Sequence, residues 1–237
     1  MQFIKKFFFY LKNDGVIYTI NHILRYLFNP LLYKIRPALM KFKKEQFKKK
    51  YNFIFPESTF LLPPDYLDLD NLINQTLQLK PKFVLELGTG YSTYAIIFAL
   101  NKLKLDTGHE FKFYAVDQNE EYLKDLKNFI PENLSKQINF YYRPILIKNY
   151  NNTLMSFYKD LPQEKYDYIY EDRRDHEQTK LAGDILEFEH KLDHNNDKLS
   201  FTIDGMPVTT NYYKKNLKGR YKISGSVIHG TNFNSIN

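Results

Sequence analysis

The sequence predicts an α/β protein, a doubly wound and mainly parallel sheet preceded by a basic helical arm. Three observations predict it. From about residue 82 onward, short apolar runs alternate with segments of helical period, the pattern of right-handed crossovers with helices on both faces of a parallel sheet. The first run, Lys82–Leu87, opens at once into Gly88-Thr89-Gly90-Tyr91-Ser92. Positive charge is confined to one end: residues 1–50 hold 12 basic side chains against Asp14 and Glu45, a net of +10. The whole chain carries +7, so the other 187 of its 237 residues are mildly acidic.

Composition narrows the class further. At 43% hydrophobic and 26% charged residues the chain can bury a core, which excludes collagen-like and disordered readings. It has no cysteine, so disulfides, zinc–thiolate sites, iron–sulfur clusters and cysteine nucleophiles are excluded.

In the arm, Phe3, Ile4, Phe7, Phe8 and Leu11 fall on one helical stripe, and Ile20, Ile23, Leu24, Leu27, Phe28 and Leu31 on another, until Pro30 and Pro37 interrupt. Lys12, Asp14, Arg25 and Lys34 break the run, so no uncharged stretch approaches the roughly 18 residues of a membrane span. No apolar core followed by a small-residue cleavage site marks a secretory signal. Two readings stay open: an interfacial helix on anionic lipid, or a helical arm packed on its own body or on a second subunit. The Lys41–Lys50 run reads as a solvated face from which Phe42 and Phe47 could dip into a membrane surface.

Phe53 to Pro64 is an aromatic, proline-punctuated connector. Asp65 is then the expected N-cap of a helix carrying Leu67, Leu69, Leu72, Ile73, Leu77 and Leu79, ended by Pro81. Beyond the first strand come a helix through Ala95 to Leu103, a strand Phe111–Val116 ending in Asp117, and a helix through Tyr122 to Phe129. A third strand, Ile138–Tyr142, precedes an expected short helix over Thr153–Tyr158. Tyr166–Glu171 is the fourth strand with its helix over Glu177–Lys191, and Leu199–Ile203 the fifth, with a helix over Asn211–Leu217. Tyr221–Ile236 reads as a hairpin turned at Gly225 or Gly230. The chain thus divides into an arm over 1–52, a connector and leading helix over 53–80, and a main domain over 81–237.

Ligands of such sheets sit outside the carboxyl ends of the strands. The residues to watch are therefore Glu86 to Ser92, Asp117, Asp172 to His176, and Asp204 to Met206. Gly88 and Gly90 let the backbone approach a ligand, and the helix starting near Ser92 presents free N–H groups. Glu86 stands within a ligand's reach, and a carboxylate at Asp117 can accept from both hydroxyls of a ribose.

Val84-Leu85-Glu86-Leu87-Gly88-Thr89-Gly90-Tyr91-Ser92-Thr93 resembles the first motif, E-x-G-x-G, of class I S-adenosylmethionine-dependent methyltransferases, in the variant where Ser replaces a third glycine. Asp117 matches the acidic residue ending their second strand. Tyr166–His176 (YDYIYEDRRDH) looks like the fourth strand of their small-molecule enzymes. The resemblance covers roughly residues 65–237, the small bacterial type, with a weak link to surface-glycan clusters through Leu199–Leu217. It implies a Rossmann-like methyltransferase fold and S-adenosylmethionine as cofactor. Glu86 would meet the cofactor's amino end, Gly88, Thr89, Gly90 and Ser92 would pass beneath it, and Asp117 would hold the ribose. The competing readings are a nicotinamide-dependent oxidoreductase, for which Thr93 stands where G-x-G-x-x-G needs its last glycine, and a non-catalytic scaffold acting through the basic arm.

The activity implied is methylation of a hydroxyl on a small molecule or glycan. Methyl transfer is an in-line displacement in which alignment supplies much of the rate, and the hydroxyl must lose its proton to a base or a metal-lowered pKa. Asp172, His176 and Asp204 are the candidate catalytic residues. Each also has a plain structural role open to it: helix cap, exposed loop, or surface charge, as for Arg173 and Arg174. Asp172 and Asp204 resemble the carboxylate pair that binds Mg²⁺ in metal-dependent relatives, but Gly205 occupies the place of the next polar ligand. The favoured reading therefore holds no metal, with Mg²⁺ kept as the lesser alternative. Nucleic-acid substrates are disfavoured: the N/D-P-P-Y segment of adenine methylases is absent, and cysteine-dependent pyrimidine methylation is impossible. The expected setting is cytoplasmic, at the inner face of the cell membrane if the arm binds lipid.

Overall fold

The computed structural model describes residues 38, 40–173, 178–192, 198–217, 219–225 and 230–236. The expected apolar stripes before residue 38 lie outside the described residues. The chain divides after Ile54 into two units. In the first, residues 40–51 are helical, with Phe42 61% exposed and Phe47 packed against Tyr51 and Phe53.

The second unit begins with α1 (Tyr66–Leu79), capped as expected: Asp65 Oδ1 accepts from Leu67 N at 2.9 Å. Then follow β1 (Phe83–Leu87), α2 (Tyr91–Thr107), β2 (Lys112–Asp117), α3 (Glu120–Phe129), α4 (Glu132–Ser135) and β3 (Ile138–Tyr142). After β4 (Ile145–Tyr150) and β5 (Thr153–Tyr158) come β6 (Tyr168–Glu171), α5 (Asp184–Glu189), β7 (Ser200–Ile203), α6 (Pro207–Asn216), β8 (Tyr221–Gly225) and β9 (Thr231–Ser235). Among the described residues one sheet has the order β3-β2-β1-β6-β7-β9-β8. Its first four pairings are parallel, and the β8–β9 tail hairpin adds antiparallel to β7.

Side chains alternate across this sheet. Leu85, Leu87, Val116, Ile169, Phe201 and Ile203 pack in one core cluster with Ile185 and Leu186 of α5 and Tyr213 of α6. The opposite face carries Glu86, Tyr168, Tyr170 and Thr202, and α1 crosses it, with Thr202 Oγ1 donating to Gln75 Oε1 at 3.1 Å. The strand order reverses between β1 and β6, which places the switch point where Leu87 meets Glu171 and Asp172.

Three expectations are corrected. Thr153–Tyr158 is a strand, not a helix: β4 and β5 form a separate antiparallel hairpin, with Tyr150 opposite Thr153. Asn151 and Asn152 both take positive φ, 47° and 60°, the turn that matches strand twist. The helix expected over Glu177–Lys191 starts only at Asp184. Residues 179–183 run extended beside β5, with Ser156 N donating to Leu181 O and Gly183 N to Ser156 O. The last helix starts at Pro207, four residues earlier than expected, because proline suits the first helical turn.

Candidate active site

A cavity of about 680 Å³ opens at the switch point, within the usual range of ligand sites. It is lined by Gly88, Thr89, Gly90 and Ser92 of the first loop, by Asp117 and Tyr122, and by Asp172 and Asp204. The connector residues Phe60 to Pro64 and the start of α1 roof it. The two groups of carboxylates read from the sequence are thereby brought to one space. Their strand ends abut: Asp172 N donates to Leu87 O at 3.0 Å and Asp204 N to Glu171 O at 2.9 Å.

The two glycines have different reasons. Gly88 has φ +87°, and a Cβ there would lie 2.0 Å from the Asp172 carbonyl oxygen, so the close approach it permits is to β6. Gly90 is extended, and a Cβ there would meet nothing nearer than Tyr122 Oη at 3.6 Å. No neighbouring atom requires glycine at that position, and its flank is open to the cavity. Gly90 N–H donates to Thr93 Oγ1 at 3.0 Å, so the residue in the place of the third dinucleotide-loop glycine is a buried cap.

Asp117 Oδ2 accepts from Thr89 N at 3.0 Å and from the Thr89 hydroxyl at 3.1 Å, while Oδ1 accepts from Asn119 N at 2.9 Å. A carboxylate oxygen has two lone-pair sites, so Oδ2 is filled and Oδ1 keeps one site for a ligand's hydroxyl.

Glu86 does not line the cavity. It is fully buried beside it on the α1–α2 face, and neither carboxylate oxygen has a hydrogen-bond partner. Burial pushes its pKa up to about 8, the Ser92 and Thr93 hydroxyls draw it down without closing a hydrogen bond, and the Asp172 and Asp117 charges push it up further. A buried orphan acceptor is costly, and among the residues of the first loop this is the group that calls for a donor or cation.

On the far side, Asp172 opens to the cavity but is crowded by protein on its other flanks. Desolvation, and then the Asp204 and Asp68 charges, push its pKa up to about 7. Tyr170, on β6 two residues before Asp172, donates its hydroxyl to Asp204 Oδ2 at 2.9 Å. Arg173 is no surface charge. It is buried between Glu171 (3.2 Å) and Asp184 (2.8 Å), donates to Ser156 O at 2.7 Å, and lies over the Tyr158 ring. Its charge serves two buried carboxylates, not an anionic acceptor. Removing it would strand both, a loss of about 3–5 kcal/mol, so Arg173→Met should fold poorly, as a thermal melt would show.

His176, with Arg174 and Asp175, lies outside the described residues. Among the described residues no three metal-capable side chains form a cluster. Tyr122 and Tyr170 line the site but were not singled out from the sequence. For Tyr170 a signal existed, since strand alternation puts it on the face of Glu86; for Tyr122 none did, because helix position does not reveal contact with a loop 33 residues away.

No family model and no curated protein matches the chain. Solved structures similar to it include an O-methyltransferase from Bacillus cereus in complex with S-adenosylhomocysteine, at 15% identity and a TM-score of 0.48, covering 82% of this chain and 90% of that one. The O-methyltransferase of tomaymycin synthesis from Streptomyces achromogenes, in complex with S-adenosylmethionine, is similar at 10% identity and 0.48, over 84% and 89%. A methyltransferase-like protein from Silicibacter pomeroyi is similar at 12% and 0.46, over 76% and 88%. At these identities the site has to be argued from this chain's own residues.

Proposed function

We propose that the chain is an S-adenosylmethionine-dependent methyltransferase acting on a hydroxyl of a small-molecule or glycan acceptor. One observation carries the reading: at the sheet's switch point the Gly88–Ser92 loop, Asp117, Asp172 and Asp204 line a single cavity. The residues fit that cofactor. Gly90 leaves an open cradle that a Cβ would fill, Asp117 keeps an acceptor site for a ribose hydroxyl, and Glu86 is a buried carboxyl beside the loop. When bound, the cofactor supplies an electrophilic methyl group on its sulfonium.

The chain's own part is alignment and proton removal. A hydroxyl held beside Asp172 or Asp204 would give its proton to that carboxylate, which makes the hydroxyl oxygen the nucleophile for the methyl group the cofactor would supply. Asp172, its pKa raised by the protein crowding its carboxylate and by the Asp204 and Asp68 charges, is a stronger base than an ordinary carboxylate; Asp204 is held by Tyr170. His176 belongs to the same proposed set. Against a nicotinamide site, the tail adds an antiparallel strand next to β7, where the dinucleotide fold's 3-2-1-4-5-6 order continues in parallel.

Isothermal titration tests the cofactor. S-adenosylhomocysteine is expected to bind and nicotinamide dinucleotides not; the reverse would overturn the proposal. Asp117→Ala should weaken binding by about 1.5–3 kcal/mol, because ribose hydroxyls lose a charged acceptor. Methyl-donor turnover over a panel of cell-surface sugars and lipid-linked glycans, with and without Mg²⁺, tests the acceptor. A scaffold acting through its arm would keep its cellular role in Gly90 and Asp172 variants.

The arm is proposed to hold the enzyme on anionic lipid. Its net +10 charge and the exposed Phe42 support this, each basic residue near such a surface contributing about 1 kcal/mol. Among the described residues no helix is long and apolar enough to cross a membrane. In flotation with anionic liposomes the full chain should rise with the vesicles at low salt and lose them as salt screens the charges. Deleting residues 1–50 should abolish flotation and spare S-adenosylhomocysteine affinity. Aggregation of that variant would instead mark the stripes as core.

A further inference from the structure

Five hydrogen bonds around Asp117 form a closed circuit that the proposed cofactor roles leave unused. Asp117 Oδ2 takes the Thr89 N–H and hydroxyl, at 3.0 and 3.1 Å. Asp117 Oδ1 takes Asn119 N–H at 2.9 Å, and Asn119 Oδ1 takes Tyr122 N–H at 3.0 Å, capping α3. The Tyr122 hydroxyl closes the ring by donating to Thr89 O at 3.1 Å. Three separate pieces of chain, the glycine loop, the end of β2 and the first turn of α3, are thereby locked in one geometry. Tyr122 Oη is also the atom nearest to the open flank of Gly90, 3.6 Å from where a Cβ would stand.

The ring of Tyr122 is in turn held from above. Phe60 of the roofing connector meets it edge-on at 5.7 Å and meets Phe129, at the other end of α3, at the same distance. The connector is anchored on both sides of Phe60. Upstream, the Tyr91 hydroxyl donates to Pro56 O at 2.7 Å and Phe55 is buried among Tyr66, Tyr91 and Tyr94. Downstream, Asp65 caps α1. Ser58 Oγ takes the N–H groups of Phe60 and Leu61, which turns the segment so that Phe60 faces α3. Phe60 and Tyr122 both line the cavity.

We infer that Tyr122, braced by Phe60, is the positioning residue of the nucleoside grip: it fixes the Thr89 carbonyl and so sets the loop that presents Asp117 to a ribose. This rests on the cofactor reading above and deepens it. Tyr122 acts through Thr89 and Asp117, so its effect belongs to the nucleoside half of the ligand, and the connector becomes the third wall of that half.

Titration with S-adenosylhomocysteine and separately with adenosine, on the full chain, tests it. Tyr122→Phe keeps the ring on Phe60 and deletes one hydrogen bond. It should weaken both ligands by the same factor, roughly three- to tenfold, while its thermal midpoint stays within a degree or two of the parent's. Phe60→Ala should weaken both similarly, and Phe60→Leu should recover most of the loss. In a double-mutant cycle, Tyr122→Phe should cost little further affinity once Thr89→Ala has removed the hydroxyl donor to Asp117, since coupled sites are not additive. Unchanged affinity in Tyr122→Phe overturns the inference, as does full additivity with Thr89→Ala. A loss confined to S-adenosylhomocysteine would overturn it too. If the parent chain binds neither ligand, it is the cofactor reading that fails.

Discussion

Gly88→Ala is expected to lose about 4 kcal/mol of stability or more, while Gly90→Ala melts like the parent and loses the cofactor. The two substitutions are chemically identical and two residues apart. At Gly88 the new methyl group would sit 2.0 Å from the Asp172 carbonyl oxygen, at a φ of +87° that L side chains rarely adopt. Left-handed strain alone costs about 1–3 kcal/mol, and the clash is with backbone at the switch point, where neither strand end can retreat without breaking the Asp172 N–H to Leu87 O bond. For a domain of this size that corresponds to a melting temperature roughly 10 °C lower. At Gly90 the backbone is extended and the nearest atom is at ordinary contact distance. The methyl group there fills only the cradle. Circular dichroism melts paired with S-adenosylhomocysteine titration separate the two effects; a Gly90→Ala protein that binds like the parent would sink the cradle as a cofactor site.

Glu86→Gln is expected to stabilise the protein at alkaline pH. In the unfolded chain the Glu86 carboxyl loses its proton near its ordinary value of 4.5, whereas in the fold burial holds the proton until about pH 8. Between those values the folded state binds more protons than the unfolded one, so stability falls as pH rises, and the whole penalty is present above about pH 8. A shift of this size corresponds to a penalty on the order of 5 kcal/mol. Glutamine carries no proton to lose and escapes it. The stability difference between variant and parent should therefore be small near pH 4, grow through neutrality and level off above pH 8, as read from urea unfolding at a series of pH values. Subtracting the parent removes the parallel contributions of Glu171 and Asp172, each also raised to about 7. A flat difference would mean that Glu86 is already satisfied in the fold. The proposed function adds a cost: the more stable variant should bind the cofactor less well, as expected where a site is built at the expense of stability.

The sheet was legible because its signals are local. Val84 and Leu85, Phe113 to Val116 and Ile138 are short apolar runs, and β1, β2, β6 and β7 run out at Gly88, Asp117, Asp172 and Asp204. The hairpin is missed by local signals: they give Ile145–Tyr150 no element and Thr153–Tyr158 a helix, because a six-residue segment has no period to settle it; the Asn151-Asn152 turn was the available clue. Arg173 was misread for another reason. Its partners Glu171 and Asp184 are two and eleven residues away, and only the bridging of Ser156 to Leu181 and Gly183 carries Asp184 onto the guanidinium.

By itself the sequence determined the alternation of strands and helices, the glycine loop after the first strand, the acidic residues at strand ends and the segregation of positive charge into the first 50 residues. These depend on residue type, spacing and backbone conformation, which act over a few residues. Only the tertiary structure decided that Gly88 is required by Asp172, that Glu86 is fully buried beside the cavity, and that the Tyr122 hydroxyl closes on the Thr89 carbonyl while its ring packs on Phe60. Each of these joins residues from different strands, helices or loops. Their chemistry is set by packing distance and by the removal of water, and neither is encoded in any single stretch of chain.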